Sequence, residues 1–360
     1  GDEGRVFRID RQGKVTLHFD SPEVSIHALA LDADGNLYAG SAPDGLVYRI
    51  SASGEATTFA TTGAHYVWDL HVDDQGELLV ATGEPAAILV VDRAGNVDTL
   101  LQMQDKHVMT LEAGGNHLYA GTSHNGRIYE IDRNGNATLL YEATLEEVHD
   151  LVASDDGYLF ATLVANEGSG ESTTPSTAVL RFSRLRGGQI LWSSKESQAL
   201  GMTLRGPELL FAVSKPPRLY RLDEDDLVST MIDFEGESPN CLRGSSDGNV
   251  IIGMGQAGVV YRLVSSLRRS GWLESEVHDF GNYSEWGRIY WQQRAPKATS
   301  IELQTRSGNS VDPDGTWSPW SDAIDKSGNL TTSPPARYLQ YRATLKTSDP
   351  VETPILHKVE

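Results

Sequence analysis

Histidine and aromatic side chains recur at a regular spacing in the first half of the chain. The candidate ligand-binding residues are His27, Trp68, Asp69, His107, His149 and Asp150. His27, Trp68 and His149 share one position of an internal repeat, and His107 falls within one residue of that position. Imidazole rings can coordinate a divalent metal or exchange protons with a substrate. Repeat duplication can also copy a residue whose role is packing, and Trp68, which cannot bind a metal, favours that interpretation.

The repeat that must position these residues is defined by a four-residue phrase. The phrase occurs seven times, starting at Val6, Val47, Ile88, Ile128, Val179, Leu219 and Val260. Successive copies begin 40 or 41 residues apart, apart from one interval of 51. A period of about forty residues, divided by Asp/Gly turns into four strands, is typical of β-propeller blades. The first strand of each blade lines the central channel, so we expect the candidate residues to meet around one channel mouth.

The first copy of the repeat is incomplete. Gly4–Asp10 and Lys14–Phe19 match the third and fourth strands of later copies, with no first and second strand before them. We therefore expect an all-β fold: a β-propeller of seven blades with an incomplete first blade, with six blades plus a spare hairpin as the alternative. The longest interval contains Val164–Thr177, whose Gly, Ser and Thr content predicts a loop.

The pattern changes after Leu263. Five of the seven tryptophans lie beyond residue 271, in alternating segments separated by Pro, Gly and Asp turns. These features predict a propeller over residues 1–263, a linker over 264–271 and a small β-sandwich over 272–360. No helix is predicted.

A Trp-Ser-Pro-Trp motif stands out in the predicted sandwich. Trp317 and Trp320, with Arg337 and Arg342 on a later strand, can form an alternating stack of indole and guanidinium groups. The competing interpretation is that exposed indole rings stack on sugars. We therefore treat Trp317, Trp320 and Arg337 as candidate ligand-binding residues.

The net charge of −20 excludes two classes of partner. Nucleic acids and anionic membrane surfaces both require a cationic face. No segment approaches the roughly 18 apolar residues of a membrane helix, so we expect no membrane insertion. The single cysteine, Cys241, excludes internal disulfides. We interpret the Gly1–Gly4 start as a processed or trimmed end.

Two apparent ligand motifs have simpler explanations. Gly253–Gly258 matches a dinucleotide fingerprint, but a strand rather than a helix is predicted to follow it. The Asp-rich segment from Asp32 to Asn36 suggests calcium, but Pro43 stands where the twelfth-position carboxylate is required. Turn chemistry explains such segments. We assign no metal ligand and no cofactor.

The repeats resemble those of bacterial WD-like and NHL-like β-propellers. Gly-x-Val-Tyr-Arg-Ile segments, as at Gly45–Ile50, alternate with segments such as Ala30–Gly40. They are also similar to streptogramin lyase and gluconolactonase (SMP-30-like) propellers. The tail, with Thr305–Asn309, Trp317–Trp320 and Ala336–Arg342, is similar in layout to discoidin or galactose-binding sandwiches of secreted bacterial proteins. This resemblance implies an exported bacterial binding protein, periplasmic or secreted.

Three functional hypotheses follow. The first is a non-enzymatic ligand-binding or scaffold protein whose ligand is a small molecule, a carbohydrate or a protein, with carbohydrate contacted by the sandwich. The second is a propeller enzyme, a metal-assisted lyase or lactonase, with His27, His107 and His149 at the channel mouth. The resemblance to streptogramin lyase, whose propeller face uses histidine, favours that arrangement. The third is a structural subunit of a larger assembly, which would account for the incomplete blade.

Overall fold

A computed structural model describes residues 3–115, 117–165, 175–195, 198–245, 247–255, 258–264, 267–349 and 352–360. All regular secondary structure in these ranges is β-strand. The described residues contain no helix long and apolar enough to cross a membrane. The chain divides into two compact units, Gly1–Leu263 and Val264–Glu360. Most of the predicted Val164–Thr177 loop, and residues 256 and 257 of the glycine motif, lie outside the described ranges.

The first unit contains strands β1 to β25. The strands of its first half are β1 (Arg5–Ile9), β2 (Val15–Asp20), β3 (Ser25–Leu31), β4 (Leu37–Ala42), β5 (Leu46–Ile50), β6 (Ala56–Thr61), β7 (Tyr66–Val72), β8 (Leu78–Gly83), β9 (Ala87–Val91), β10 (Val97–Gln102), β11 (His107–Gly114), β12 (His117–Ser123), β13 (Arg127–Ile131) and β14 (Ala137–Glu142). The others are β15 (Glu147–Ala153), β16 (Leu159–Val164), β17 (Thr177–Ser183), β18 (Gly187–Ser194), β19 (Ala199–Arg205), β20 (Glu208–Ser214), β21 (Pro217–Leu222), β22 (Val228–Asp233), β23 (Pro239–Gly244), β24 (Val250–Met254) and β25 (Val260–Leu263).

Consecutive strands pair antiparallel to form the blades. Five four-stranded blades run in chain order from β3–β6 to β19–β22, and the inner strands β3, β7, β11, β15, β19 and β23 pack one against the next. A two-stranded pair, β1–β2, precedes them and a three-stranded sheet, β23–β25, follows them. The predicted all-β propeller fold is therefore confirmed, and the first copy of the repeat contributes only the third and fourth strands of its blade among the described residues.

Each inner strand contains a β-bulge at the same place. The extra residues in the bulges are His27, Trp68, Met109, His149, Leu200 and Asn240. The prediction that His107 falls within one residue of this column is wrong, because Met109 occupies the equivalent position and His107 starts the strand. A one-residue bulge re-aims the side chains around it, and bulges are common beside functional sites.

Valine side chains of one blade pack against glycines of the preceding blade. Val67 and Val148, each just before a bulge, are fully buried. A Cβ added to Gly40 would lie 2.3 Å from Val67 Cγ1, and one added to Gly121 would lie 2.5 Å from Val148 Cγ1. Glycine at these positions lets each blade approach the next, and burying such a side chain contributes about 1.5–3 kcal/mol.

The second unit is a small β-sandwich. Its strands are β26 (Ser270–Glu274), β27 (His278–Ser284), β28 (Arg288–Ile289), β29 (Trp291–Arg294), β30 (Thr299–Gly308), β31 (Asn329–Leu330), β32 (Ala336–Thr347) and β33 (Ile355–Val359). β32 pairs with β30 on one edge and with β26 and β27 on the other, while β28 pairs with β31 and β29 with β33. Side chains from both groups of strands, including Trp291 and Leu303, form one buried core. The first strand begins at Ser270, inside the segment expected to be a linker.

Candidate functional site

A cleft of about 540 Å³ opens where β11 and β15 begin. We call it the histidine cleft. It is lined by Lys106, His107, Ser123, His124, Glu147, His149, Val164, Ala165, Gln198 and Leu200. The start of the inner strands is where the repeat pattern predicted a channel mouth. The lining combines titratable groups with an apolar side, which is the mixture typical of small-molecule sites.

His107 is fixed by a hydrogen bond from the indole of Trp68. Trp68 Nε1 donates to His107 Nδ1 at 3.0 Å. Because an indole nitrogen only donates, His107 Nδ1 is the acceptor and the neutral ring carries its proton on Nε2. That atom lies 3.8 Å from Glu84 Oε1, which also pairs with Lys106 Nζ at 2.9 Å. Burial, and then the nearby Lys106 charge, lower the pKa of His107 and favour its neutral form.

The aromatic rings around Trp68 form a small cluster. Tyr66 stacks on Trp68 with ring centroids 5.1 Å apart, and His27 packs on the indole at 4.8 Å. A Cβ added to Gly83 on β8 would lie 2.0 Å from His107 Nδ1 and 2.5 Å from Trp68 Nε1. The Trp68–His107 hydrogen bond therefore depends on glycine at position 83.

His149 has a buried ring nitrogen that makes no hydrogen bond to the described residues. Its Nδ1 atom is inaccessible to solvent and has no hydrogen-bond partner among the described residues. Burial lowers the pKa of His149, so the ring is neutral near pH 7. An unsatisfied buried polar atom costs about 1–3 kcal/mol, so a partner for this nitrogen would be stabilising.

Two turns beside the cleft contain strained residues. Glu84 and His124 have positive φ angles of 53° and 86°. Residues other than glycine seldom occupy this left-handed region, and such strain clusters at ligand sites. His124 lines the cleft, and Glu84 contacts Lys106 and His107.

Asp69 and Asp150 connect neighbouring blades. Asp69 accepts hydrogen bonds from the amides of Leu70 and Leu111, each at 2.8 Å. Asp150 accepts them from Leu151 at 3.0 Å and from Met202 at 2.8 Å. Each carboxylate thus accepts a hydrogen bond from the inner strand of the next blade.

A third inner-strand carboxylate makes a similar connection. Glu112 accepts a hydrogen bond from the Ala153 amide at 3.0 Å. Burial raises the pKa of Asp69 and Glu112, and raises that of Asp150 to about 7. Backbone amides already engage the oxygens of Asp69 and Asp150, so a direct role of these two residues in ligand binding stays a prediction.

The structure brings together some of the predicted residues and adds others. His27, Trp68 and His107 share the aromatic cluster, and His107 and His149 line the same cleft. No three His, Cys, Asp or Glu side chains among the described residues are grouped to hold a metal ion. Sequence reasoning missed Glu84, Lys106 and Glu147. Glu84 directly follows β8, and Lys106 directly precedes β11. The Glu84-Pro85 dipeptide, which indicates a turn, was the one sequence feature that could have pointed to Glu84.

The sandwich contains an alternating ladder of tryptophan and arginine. Arg306 lies over Trp317 at 5.6 Å and over Trp320 at 4.5 Å, and Arg342 lies over Trp320 at 4.3 Å and over Trp272 at 5.1 Å. Trp317 is buried, and Trp320 is stacked on two guanidinium groups. These contacts occupy the rings that the sugar-stacking interpretation needs.

Arg337 lies outside this ladder. It pairs with Asp279 at 2.8 Å and lies over Tyr338. The Asp279–Arg337 pairing lowers the pKa of Asp279 to about 2.

Comparison with known proteins identifies the fold. No family profile and no curated protein matches the sequence. Among solved structures, a catalytically inactive virginiamycin B lyase from Staphylococcus aureus with quinupristin is similar over 72% of this chain and 87% of its own, at 14% identity and a TM-score of 0.60. The WD40 β-propeller domain of Doa1 is similar over 72% and 84%, at 15% identity and a TM-score of 0.55. The chain is also similar to a chain of the nidogen/laminin complex over 65% and 91%, at 15% identity and a TM-score of 0.52.

Proposed function

We propose that this protein is a non-enzymatic binding protein whose propeller holds a small polar ligand in the histidine cleft. The observation that carries the proposal is the buried Nδ1 atom of His149, which has no hydrogen-bond partner among the described residues. A ligand that bonds this nitrogen after a rotation of the His149 ring toward the cleft would recover the cost of its desolvation. The rigid ring of blades provides the platform, because loops and strand ends held by a stiff scaffold are the usual place for binding groups.

The lining of the cleft suggests the chemistry of the ligand. Lys106 and Glu147 offer one charge of each sign, while Val164, Ala165 and Leu200 form an apolar side. Burial raises the pKa of Glu147, so its neutral form is more accessible than that of an exposed glutamate. The ligand class is therefore a small amphipathic molecule with a polar group within hydrogen-bond distance of His149.

Fragment screening with side-chain NMR tests this proposal. Fragments that raise the melting temperature are titrated into the full chain, and the ring ¹⁵N signals of the histidines are followed. We expect the His149 signal to shift, and binding to be lost in His149→Ala but retained in His357→Ala, an exposed histidine of the sandwich. Binding that survives in His149→Ala would contradict the proposal.

One observation favours an enzymatic alternative. A neutral histidine with an unbonded nitrogen can accept a proton from a substrate, and the fold is shared with virginiamycin B lyase. The alternative is a lyase or lactonase with His149 as the base. Turnover of a bound fragment by the wild type and not by His149→Gln would favour it over simple binding.

We further propose that the protein is bacterial and extracytoplasmic, and that its sandwich, discoidin-like in layout, contacts carbohydrate. The support is an exposed aromatic group on and after β27: Tyr283 and Phe280 are exposed, and Phe280 packs edge-on against Trp286 at 5.1 Å. Flat aromatic faces suit sugar rings. A glycan array probed with the full chain should lose its signal with Tyr283→Ser and keep it with Val311→Ser. Cell fractionation tests the extracytoplasmic location.

A further inference from the structure

The repeated phrase is more exposed at the two ends of the propeller than in the complete blades. Its second residue is 4% exposed at Tyr48 but 54% exposed at Phe7 and 49% exposed at Tyr261. Its fourth residue is fully buried at Ile50 and 44% exposed at Ile9. The residue types are alike in all copies, so the difference in exposure arises from the neighbouring segments that pack against them.

The exposed residues at the beginning of the propeller form one apolar face. Phe7 pairs across the strands with Leu17, and Ile9 pairs with Val15, so all four side chains lie on the same side of the β1–β2 pair. All four are exposed. Leu29 on β3 is also exposed, whereas Leu70, Leu111 and Leu151, the residues at its position in the next blades, are buried.

The other end of the propeller presents a matching face. Ile251 of β24 and Val260 of β25 are exposed and lie on one side of the sheet, whereas Tyr261 pairs with Ile252 and lies on the other side. The residue equivalent to Ile251 in the preceding blade is Leu210, which is fully buried. Isolated exposed apolar residues are ordinary, but contiguous exposed apolar faces at both ends of the series of blades indicate an interaction site.

The edge of β1 is open as well. In the complete blades the third strand pairs on both sides, as β5 does with β4 and β6. Among the described strands β1 pairs only with β2. An open strand edge beside an apolar face is a template for added strands.

We propose that Leu29, the face of Ile251 and Val260 and the β1 edge bind an antiparallel β-hairpin with the chemistry of this propeller's own inner strand pairs. The occupant is specified by the complete blades, where the inner strands of the preceding blade cover the residues equivalent to Leu29. Leu70 packs with Ala28 and Tyr38, and Leu111 packs with Ala81. The outer strand of the hairpin would continue the β1–β2 sheet, and its alternating apolar side chains would cover Leu29 on one side and Ile251 and Val260 on the other. This inference does not depend on the ligand of the histidine cleft.

Adding a hairpin peptide to the full chain tests the proposal. The probe is a synthetic peptide with the sequence of residues 25–42, the inner pair β3–β4, and the matched control is residues 46–61, the outer pair β5–β6. We expect the inner-pair peptide alone to raise the melting temperature and to protect the amides of Arg5–Ile9 from hydrogen exchange. Equal effects of the two peptides, or no effect of either, would overturn the proposal.

Surface variants locate the binding. Leu29→Ser and Ile251→Ser should each weaken binding of the peptide by about tenfold or more, because each removes a large apolar contact. Leu185→Ser, which changes an exposed leucine on another blade, should leave binding unchanged. Val260→Ser provides an independent variant on the same face as Ile251. Concentration-dependent dimerisation without peptide, with the same protection at β1, would assign the faces to a second copy and contradict the hairpin.

Discussion

Individual residues of the inner strands couple stability to pH. Burial raises the pKa of Asp150 from 3.8 to about 7, so the folded protein retains a proton that the unfolded chain releases. The contribution of this group to stability is complete below about pH 4 and is lost as the pH rises towards 7. The loss amounts to a few kcal/mol in order of magnitude.

The Asp150→Asn variant should flatten this dependence, because asparagine keeps an oxygen acceptor for the Met202 amide and cannot ionise. Urea unfolding at about pH 4.5 and about pH 7.5 measures it. Asp34→Asn, at an exposed turn, serves as the control. A residual slope is expected from Asp69 and Glu112, whose pKa values burial also raises. If the free energy of unfolding of Asp150→Asn changed with pH as steeply as that of the wild type, the prediction would be contradicted.

Gly83 is a second residue with a specific expected effect. Gly83→Ala places a Cβ against the Trp68–His107 pair, so the hydrogen bond must break or β8 must move. We expect a loss of about 1–3 kcal/mol in the free energy of unfolding and a change in tryptophan fluorescence. Gly271→Ala, where the new Cβ meets no atom within 4 Å, is the matched control. Unchanged fluorescence in Gly83→Ala would show that the pair is not constrained in this way.

At the scale of the elements, the Trp/Arg ladder joins three strands and the Trp-Ser-Pro-Trp loop of the sandwich. Trp320 lies between Arg306 on β30 and Arg342 on β32, and Arg342 also covers Trp272 on β26. Arg306→Met keeps the length of the side chain and removes its charge, so we expect a loss of about 1–2 kcal/mol. Denaturant unfolding followed by near-UV circular dichroism measures it. Arg337→Met, which removes an exposed ion pair outside the ladder, should cost less; an equal cost would argue against the ladder.

The elements also show what could be predicted from sequence. The spacing of the phrase predicted the third strand of every blade, because register and turn chemistry repeat with it. The bulge at Met109 could not be seen, since an extra residue in a strand leaves the local pattern almost unchanged; His107 was therefore aligned with the wrong column. Arg306 was missed because it lies on a strand far in sequence from Arg342, and only the sheet brings them beside one tryptophan.

At the scale of the whole molecule, the two units have separate hydrophobic cores. Leu210 is fully buried in a hydrophobic cluster of the propeller, and Leu303 is fully buried in a hydrophobic cluster of the sandwich. Replacing a buried leucine by alanine costs about 2–5 kcal/mol. We therefore expect calorimetry of the full chain to resolve two transitions, each sensitive to one of these leucines.

Leu210→Ala should lower only the propeller transition and Leu303→Ala only the sandwich transition, since each cavity is created in one core. The two variants control for each other, because both truncate a leucine with no solvent exposure. The inner-pair peptide of residues 25–42 should raise the transition that Leu210→Ala lowers, because its proposed site lies on the propeller. A single transition that moves with either variant would mean that the two cores unfold as one cooperative unit.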